Sequence, residues 1–223
     1  FEERIMQTVH ILSSQKVFRV GKIVCLARNY ADHIKELGNE VPDKPVLFIK
    51  PATSIIRDGE NVVIPAYSND CHYEVELAVL IGKYAKNVPE REAMSHVAGY
   101  GVAIDMTLRD VQSELKAKGL PWEIAKGFDT ACPLSDFVAA SEVEDPHDLG
   151  IRLSVDGQVR QDASTALMMR RLPAIIQAIS AIFTLEEGDI ILTGTPAGVG
   201  PVGRGSRLRA EIDKVGCLEV GVK

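Results

Sequence analysis

Apolar residues in this chain fall mostly in short runs separated by Gly, Pro and polar turns, and helical spacing is confined to a few segments. Lys22 to Ala27, Val46 to Lys50 and Asp189 to Leu192 read as strands, the second closed by Pro51. Leu149 to Val155 and Gln158 to Gln161 flank Asp156-Gly157, the favoured two-residue turn, and predict a hairpin. Arg207 to Ile212 and Cys217 to Val222 predict a closing strand pair. Tyr30 to Leu37 reads as a helical turn or two, and Glu92 to Ala98 and Thr107 to Lys118 have helical composition, the latter stopped by Gly119. Leu172 to Phe183 is the clearest amphipathic helix, with Pro173 in its first turn. Strands and helices do not alternate regularly. The pattern predicts an α+β fold of β-rich mixed sheets with a few short helices.

One run breaks the apolar rule. Tyr73 to Ile81 carries Glu74 and Glu76 among Val, Leu, Ala and Ile. Side chains at i and i+2 of a strand share a face, so two carboxylates aim at one spot. The same spacing fits the solvated face of an edge strand. A second carboxylate shifts the balance: Gly99 to Thr107 is again strand-like, with Asp105 where it ends. Like charges packed in a half-buried strand are costly unless a cation neutralises them or one takes a proton. Three carboxylates with no Cys or His pair make an all-oxygen site, suited to Mg²⁺ or Mn²⁺ rather than Zn²⁺. His72 is expected to point away from them.

Composition narrows the picture. The 223 residues suit one domain with a sizeable core, and 46% hydrophobic and 25% charged residues are ordinary for a soluble globular protein. A net charge of -6 argues against nucleic acid and anionic membrane surfaces as partners. No apolar run approaches the ~20 residues that cross a bilayer, and a cytoplasmic location is expected. Cys25, Cys71, Cys132 and Cys217 show no metal or redox spacing; the apolar or small neighbours of Cys25, Cys132 and Cys217 predict buried reduced thiols.

On a helical turn, His33 and Glu36 stand at i and i+3, within contact. A carboxylate beside an imidazole fixes its tautomer and raises its basicity, although such pairs also occur on solvated helices. Its value comes from company. The segments Arg28 to His33, Pro45 to Pro51, His72 to Leu77, Asp105 to Gln112, Gly119 to Trp122, Ala125 to Asp129 and Gly188 to Gly200 closely resemble the fumarylacetoacetate hydrolase superfamily. The order is the same throughout, and the nearest likeness is to the small acylpyruvate hydrolase branch, whose members also decarboxylate oxaloacetate. Tyr73 departs from that pattern, replacing a second His often seen before the first metal Glu.

The resemblance implies a β-sandwich roll, with an N-terminal extension at 1–21 and one catalytic domain at 22–223. It implies that Glu74, Glu76 and Asp105 hold Mg²⁺ or Mn²⁺, that His33 and Glu36 activate water from a lid segment, and that Lys126 stands beside the metal. Arg109, Gln112 and Thr195 match positions at the oxoacid end of the substrate, and Arg28 is a further candidate there. The implied reaction is hydrolysis of the C–C bond of an acylpyruvate to pyruvate and a carboxylic acid. The alternative is an oxaloacetate decarboxylase or tautomerase, or a hydroxymuconate-type isomerase, on the same site. A homodimer is also implied. Light scattering at micromolar concentration should give twice the chain mass of 24.3 kDa; a monomer would contradict the dimer.

Overall fold

The computed structural model describes residues 6–14, 16–38 and 40–223. The apolar run after Glu74 forms the strand Val75–Ile81, every residue of which is buried. Such a strand belongs at the centre of a sheet covered on both faces, not at its edge. It sits third in a six-stranded sheet ordered Val138–Ala139, Val97–Ile104, Val75–Ile81, Ile190–Leu192, Lys22–Ala27, Val46–Pro51. Ile190–Leu192 runs parallel to Lys22–Ala27, and the other pairs are antiparallel.

Strand alternation divides the buried side chains between two cores. Val75, Leu77, Val79 and Ile81 face the larger one, with Ile151, Leu153, Leu208, Ala210 and Leu218 from a second sheet. That sheet has five strands in the order Gln158–Ser164, Gly150–Val155, Arg207–Ile212, Gly216–Val222, Asn61–Val62. Two mixed sheets therefore enclose one core, the β-rich architecture that the pattern predicts. Ala78 and Leu80 face a smaller core with Ile23, Cys25, Phe48 and Phe137. Glu74 and Glu76 share their parity.

The predicted hairpin is present, and Asp156 and Gly157 take φ of 51° and 79°, the primed turn that matches strand twist. The helices are short: α1 (Ala31–Glu36), α2 (Arg109–Ala117), α3 (Glu123–Lys126) and α4 (Leu172–Ile182). Two helical expectations need correction. Glu90–His96 is a 3₁₀ helix that gives way at Val97 to a strand, so Ala98 belongs to the central sheet. Thr107–Leu108 is a short strand paired with Cys71–Tyr73, and α2 starts only at Arg109. In both places pairing to neighbouring strands overrides helical composition.

Of the expected N-terminal extension, residues 1–5 and 15 lie outside the described residues. The rest includes a hairpin of Thr8–His10 with Val17–Arg19, whose Val9 and Phe18 enter the smaller core. Cys25, Cys71 and Cys132 are buried thiols, and burial pushes the last two up to about 12. Cys217 is exposed, against expectation, because it lies on the solvent-facing phase of the Gly216–Val222 strand.

Candidate active site and metal centre

Hairpin register builds the floor of the site. Val75 pairs with Ile104 and Glu76 with Ala103, so Glu74 falls opposite Asp105, and the Asp105 N–H donates to the Glu74 carbonyl at 2.8 Å. Glu76 follows two residues on, on the same face. The carboxylates of Glu74, Glu76 and Asp105 are all buried and offer ligand oxygens within 4.8 Å of one another. His72 stays out of this group, its Nε2 bonded to Asp70 Oδ1 at 2.8 Å. Strand parity is not the reason, since His72 and Glu74 are also two apart; the strand breaks at Glu74, between Cys71–Tyr73 and Val75–Ile81.

Three cations pair with two of the three carboxylates, Glu74 and Asp105. Lys126, at the end of α3, places Nζ 2.8 Å from Glu74 Oε2 and 2.7 Å from Asp105 Oδ2. Burial works against its ammonium, but Asp105 and Glu74 more than offset it, and the pKa is raised. Arg109 pairs through Nη2 with Glu74 Oε1 and donates from Nη1 to Gln112 Oε1 at 2.7 Å. Helical spacing puts Arg109 and Gln112 on one face of α2. Lys50 is fully buried, with Nζ bonded to the carbonyls of Met106, Ala131 and Lys126 and 2.8 Å from Asp105 Oδ1. An ammonium has three N–H groups, and carbonyls take all of them. Asp105 Oδ1 is therefore near a charge yet has no hydrogen bond.

That orphaned oxygen, beside a second unpaired carboxylate, is the structural argument for a metal. Glu76 Oε2 accepts from the Gly194 N–H at 2.6 Å, and no ion pair reaches it among the described residues. Burial, then Asp105 and Glu74, raise its pKa well above the usual range. Glu74 goes the other way: burial would raise it, but Lys126 and Arg109 lower it. The residues fit a hard divalent cation held by Glu74, Glu76 and Asp105.

The walls come from α1, α2, the segment at Arg28 and the loop after Ile190–Leu192. His33 on α1 is buried, and burial lowers its pKa despite Glu74 and Glu36, leaving a neutral imidazole at neutral pH. Its Nδ1 lies 3.4 Å from Glu36 Oε2, at the long end of hydrogen bonding. Glu36 also accepts from the Gly198 N–H, at 3.1 and 3.2 Å, which ties α1 to the loop after Ile190–Leu192. Gly198 has φ of +99°, and a Cβ there would lie 2.1 Å from the Arg160 carbonyl oxygen, so only glycine fits. Arg28 takes φ of 60°, a strained value for a side-chain-bearing residue. The next residue holds the backbone: Asn29 Nδ2 donates to the carbonyls of Arg170 and Thr193, at 3.0 and 2.9 Å.

Nine of the ten residues expected at the site line one cleft: Arg28, His33, Glu74, Glu76, Asp105, Arg109, Gln112, Lys126 and Thr195. Glu36, the tenth, supports His33 from behind. Sequence reasoning left Lys50, Gln161 and Lys116 without a role. Lys50 carried a signal, a lone cation inside the apolar strand Val46–Pro51. Gln161 carried none, yet it is fully buried and joins the site's edges. Its Oε1 accepts from the Val75 N–H at 3.0 Å, and its Nε2 donates to Thr195 Oγ1 at 2.8 Å and to the Pro196 carbonyl at 2.9 Å.

Residues 22–223 match the family described as fumarylacetoacetate (FAA) hydrolase C-terminal. The chain belongs to that family. It is 50% identical over 201 residues to oxaloacetate tautomerase FAHD1, mitochondrial, of Mus musculus, across 90% of this chain and 91% of that protein. The corresponding protein of Arabidopsis thaliana is 50% identical over 199 residues, 89% of each chain. Fumarylpyruvate hydrolase from Pseudomonas aeruginosa, solved in complex with Mn²⁺ and pyruvate, has TM-score 0.95 and 36% identity, covering 100% of this chain and 97% of that one. The animal and plant relatives are named as mitochondrial, unlike the cytoplasmic location the sequence leads one to expect. Among the described residues no helix is long and apolar enough to cross a membrane.

Glu76 sets the sign of a pH test. Its raised folded pKa means that, without metal, its contribution to stability is present at low pH and lost as pH rises through that value. A cation that needs the ionised carboxylate binds better as pH rises. Saturating Mg²⁺ should therefore raise Tm by about 5–10 °C in mildly alkaline buffer, the size expected for ~100-fold excess over Kd. The rise should shrink in mildly acidic buffer and vanish in Glu76→Gln. Thermal scans across pH check it, and a shift independent of pH or unaffected by the substitution would contradict it.

Proposed function

We propose that this chain catalyses keto–enol chemistry on oxaloacetate with a divalent metal, Mg²⁺ or Mn²⁺, acting as an oxaloacetate tautomerase that also supports decarboxylation. The observation that carries the reading is the pairing of a charged, buried Lys126 with a neutral His33 in one cleft whose floor is three carboxylates. The names of the relatives at half identity supply the substrate.

A divalent cation held by Glu74, Glu76 and Asp105 would supply Lewis acidity toward the 2-keto group. The chain's own residues do the rest. Arg109, Gln112 and Thr195 orient the carboxylate next to the keto group. Because Gln161 donates to Thr195 Oγ1, the Thr195 hydroxyl hydrogen is left to donate into the cleft. His33, neutral and steadied by Glu36, takes a proton from C3; the C–H pair becomes the C2–C3 double bond, and negative charge develops on the keto oxygen. Lys126 stabilises that charge as a fixed ammonium, and protonation of the oxygen yields the enol. In decarboxylation the pair comes from the C3–C4 bond as CO₂ leaves, and C3 is protonated afterwards.

The His33–Glu36 pair alone argues for water activation, and the likeness to fumarylpyruvate hydrolase along the whole chain favours that as a second reading. There the same base would deprotonate water for attack on the C4 carbonyl of an acylpyruvate. One substitution weighs the two. With Mg²⁺, the wild-type protein should interconvert the oxaloacetate tautomers faster than it cleaves acetylpyruvate, and His33→Ala should slow the interconversion by about 10²–10⁴, the worth of a positioned base. Calorimetry should show metal binding intact in that variant. A protein that hydrolyses acetylpyruvate and leaves oxaloacetate tautomers untouched would make hydrolysis the primary activity.

A further inference from the structure

The cleft wall that α2 provides does not end at Gln112. Arg109, Gln112 and Lys116 stand at i, i+3 and i+7, one stripe along the helix, and all three line the cleft. The stripe runs from Arg109, paired with floor residue Glu74, outward to Lys116, which is exposed. Arg28 also lines the cleft. Apart from the three floor carboxylates, no acidic side chain lines it among the described residues. In a protein of net charge -6, the outer cleft is thus cationic.

We propose that Lys116, together with Arg28, forms a subsite for the second carboxylate of a dicarboxylic oxoacid, and so selects such substrates over oxoacids with an uncharged end. This rests on the oxoacid site proposed above and adds the residues that meet the second carboxylate of its substrate. At the inner end of the cleft Arg109 and Gln112 meet the carboxylate next to the keto group and Lys126 meets the keto oxygen, so these groups are used at that end of the ligand. A carboxylate at the far end of the ligand meets the outer pair instead. Charge-assisted hydrogen bonds from Lys and Arg are the strong way to hold such a group, and Arg offers two parallel donors. Burial and the proximity of Arg28 and Arg109 lower the Lys116 pKa, which marks crowding of positive charge that an anion relieves. Neither Lys116 nor Arg28 lacks protein partners, so an incoming carboxylate competes for them. Lysine at this exposed helical position is replaceable by Met without loss of helix propensity.

The test is a matched pair of stable ligands, 2-oxoglutarate and 2-oxovalerate, which share a five-carbon chain and differ in a terminal carboxylate or methyl group. Calorimetric titration of the protein in excess Mg²⁺ should show 2-oxoglutarate bound about tenfold more tightly, the scale of a charge-assisted bond partly screened by solvent. Lys116→Met should bring the ratio close to one through loss of 2-oxoglutarate affinity, and Lys116→Arg should restore it. An equal ratio in the wild type, a ratio unchanged by Lys116→Met, or binding of neither ligand would overturn the subsite. Oxaloacetate turnover by the same preparation reports separately on the reaction. A preference without turnover upholds the subsite and sinks the tautomerase reading, and turnover without a preference does the reverse.

Discussion

The structure depends on three carboxylates crowded into one buried space. With ligand oxygens within 4.8 Å, each like-charged pair costs at least about 3 kcal/mol at an effective dielectric of about 20. Desolvation adds to that. The fold meets the cost by converging cations from three separate elements: Lys50 from a strand, Arg109 from the first turn of α2, and Lys126 from the end of α3. Glu76 is the one left with a single backbone donor, and its raised pKa is the result. A protein that wanted only stability would place valine or leucine there, as it does at neighbouring positions of the same strand. Retaining the charge makes sense as a demand for a divalent cation.

The surrounding architecture follows from placing that group. A hairpin whose register sets Glu74 opposite Asp105 must be rigid, and burial of Val75–Ile81 on both faces makes it so. Lys50 joins the floor to the wall, because the carbonyls it binds belong to the chain beside Asp105 and to Lys126 itself. Gln161 performs the corresponding task on the opposite side, linking the second sheet to Val75 and Thr195. His33, the proposed base, is held differently. His33 sits on a helix of six residues, held through Glu36 by a backbone N–H of a glycine loop. The candidate metal ligands are thus fixed by sheet register, and the proposed base by a small, locally tethered element, which is where a closing segment is usually found.

Much of this was legible in the sequence, for identifiable reasons. Charged residues inside an apolar strand, with a third at the end of another, carry a cost that only a function justifies, so Glu74, Glu76 and Asp105 stood out without any relative. The Asp156-Gly157 turn and the Pro173 helix start are local rules, and the structure obeys them. What escaped was set by tertiary contact. Gln161 lies among exposed polar residues of its strand and is distinguished only by facing the loop of Thr195. Thr107 and Leu108 read as helix because their sheet partners lie more than thirty residues earlier, at His72 and Cys71. The reading of His33 and Glu36 as a water-activating pair met a different limit: a neutral, oriented imidazole removes a proton from carbon or from water, and residue chemistry alone does not choose.

The central claim, that the three carboxylates exist to hold a divalent cation, has a direct measurement. Crystals grown with Mn²⁺ and measured at the manganese absorption edge should show one anomalous peak per chain, bounded by the carboxylate oxygens of Glu74, Glu76 and Asp105 at about 2.0–2.3 Å, as expected for a hard oxygen-ligated cation. The peak should be absent from crystals of Glu76→Gln grown in the same way. No peak in the wild type, or a peak elsewhere with Lys126 still bridging Glu74 and Asp105, would contradict the account and return the cluster to a purely structural network of buried ion pairs.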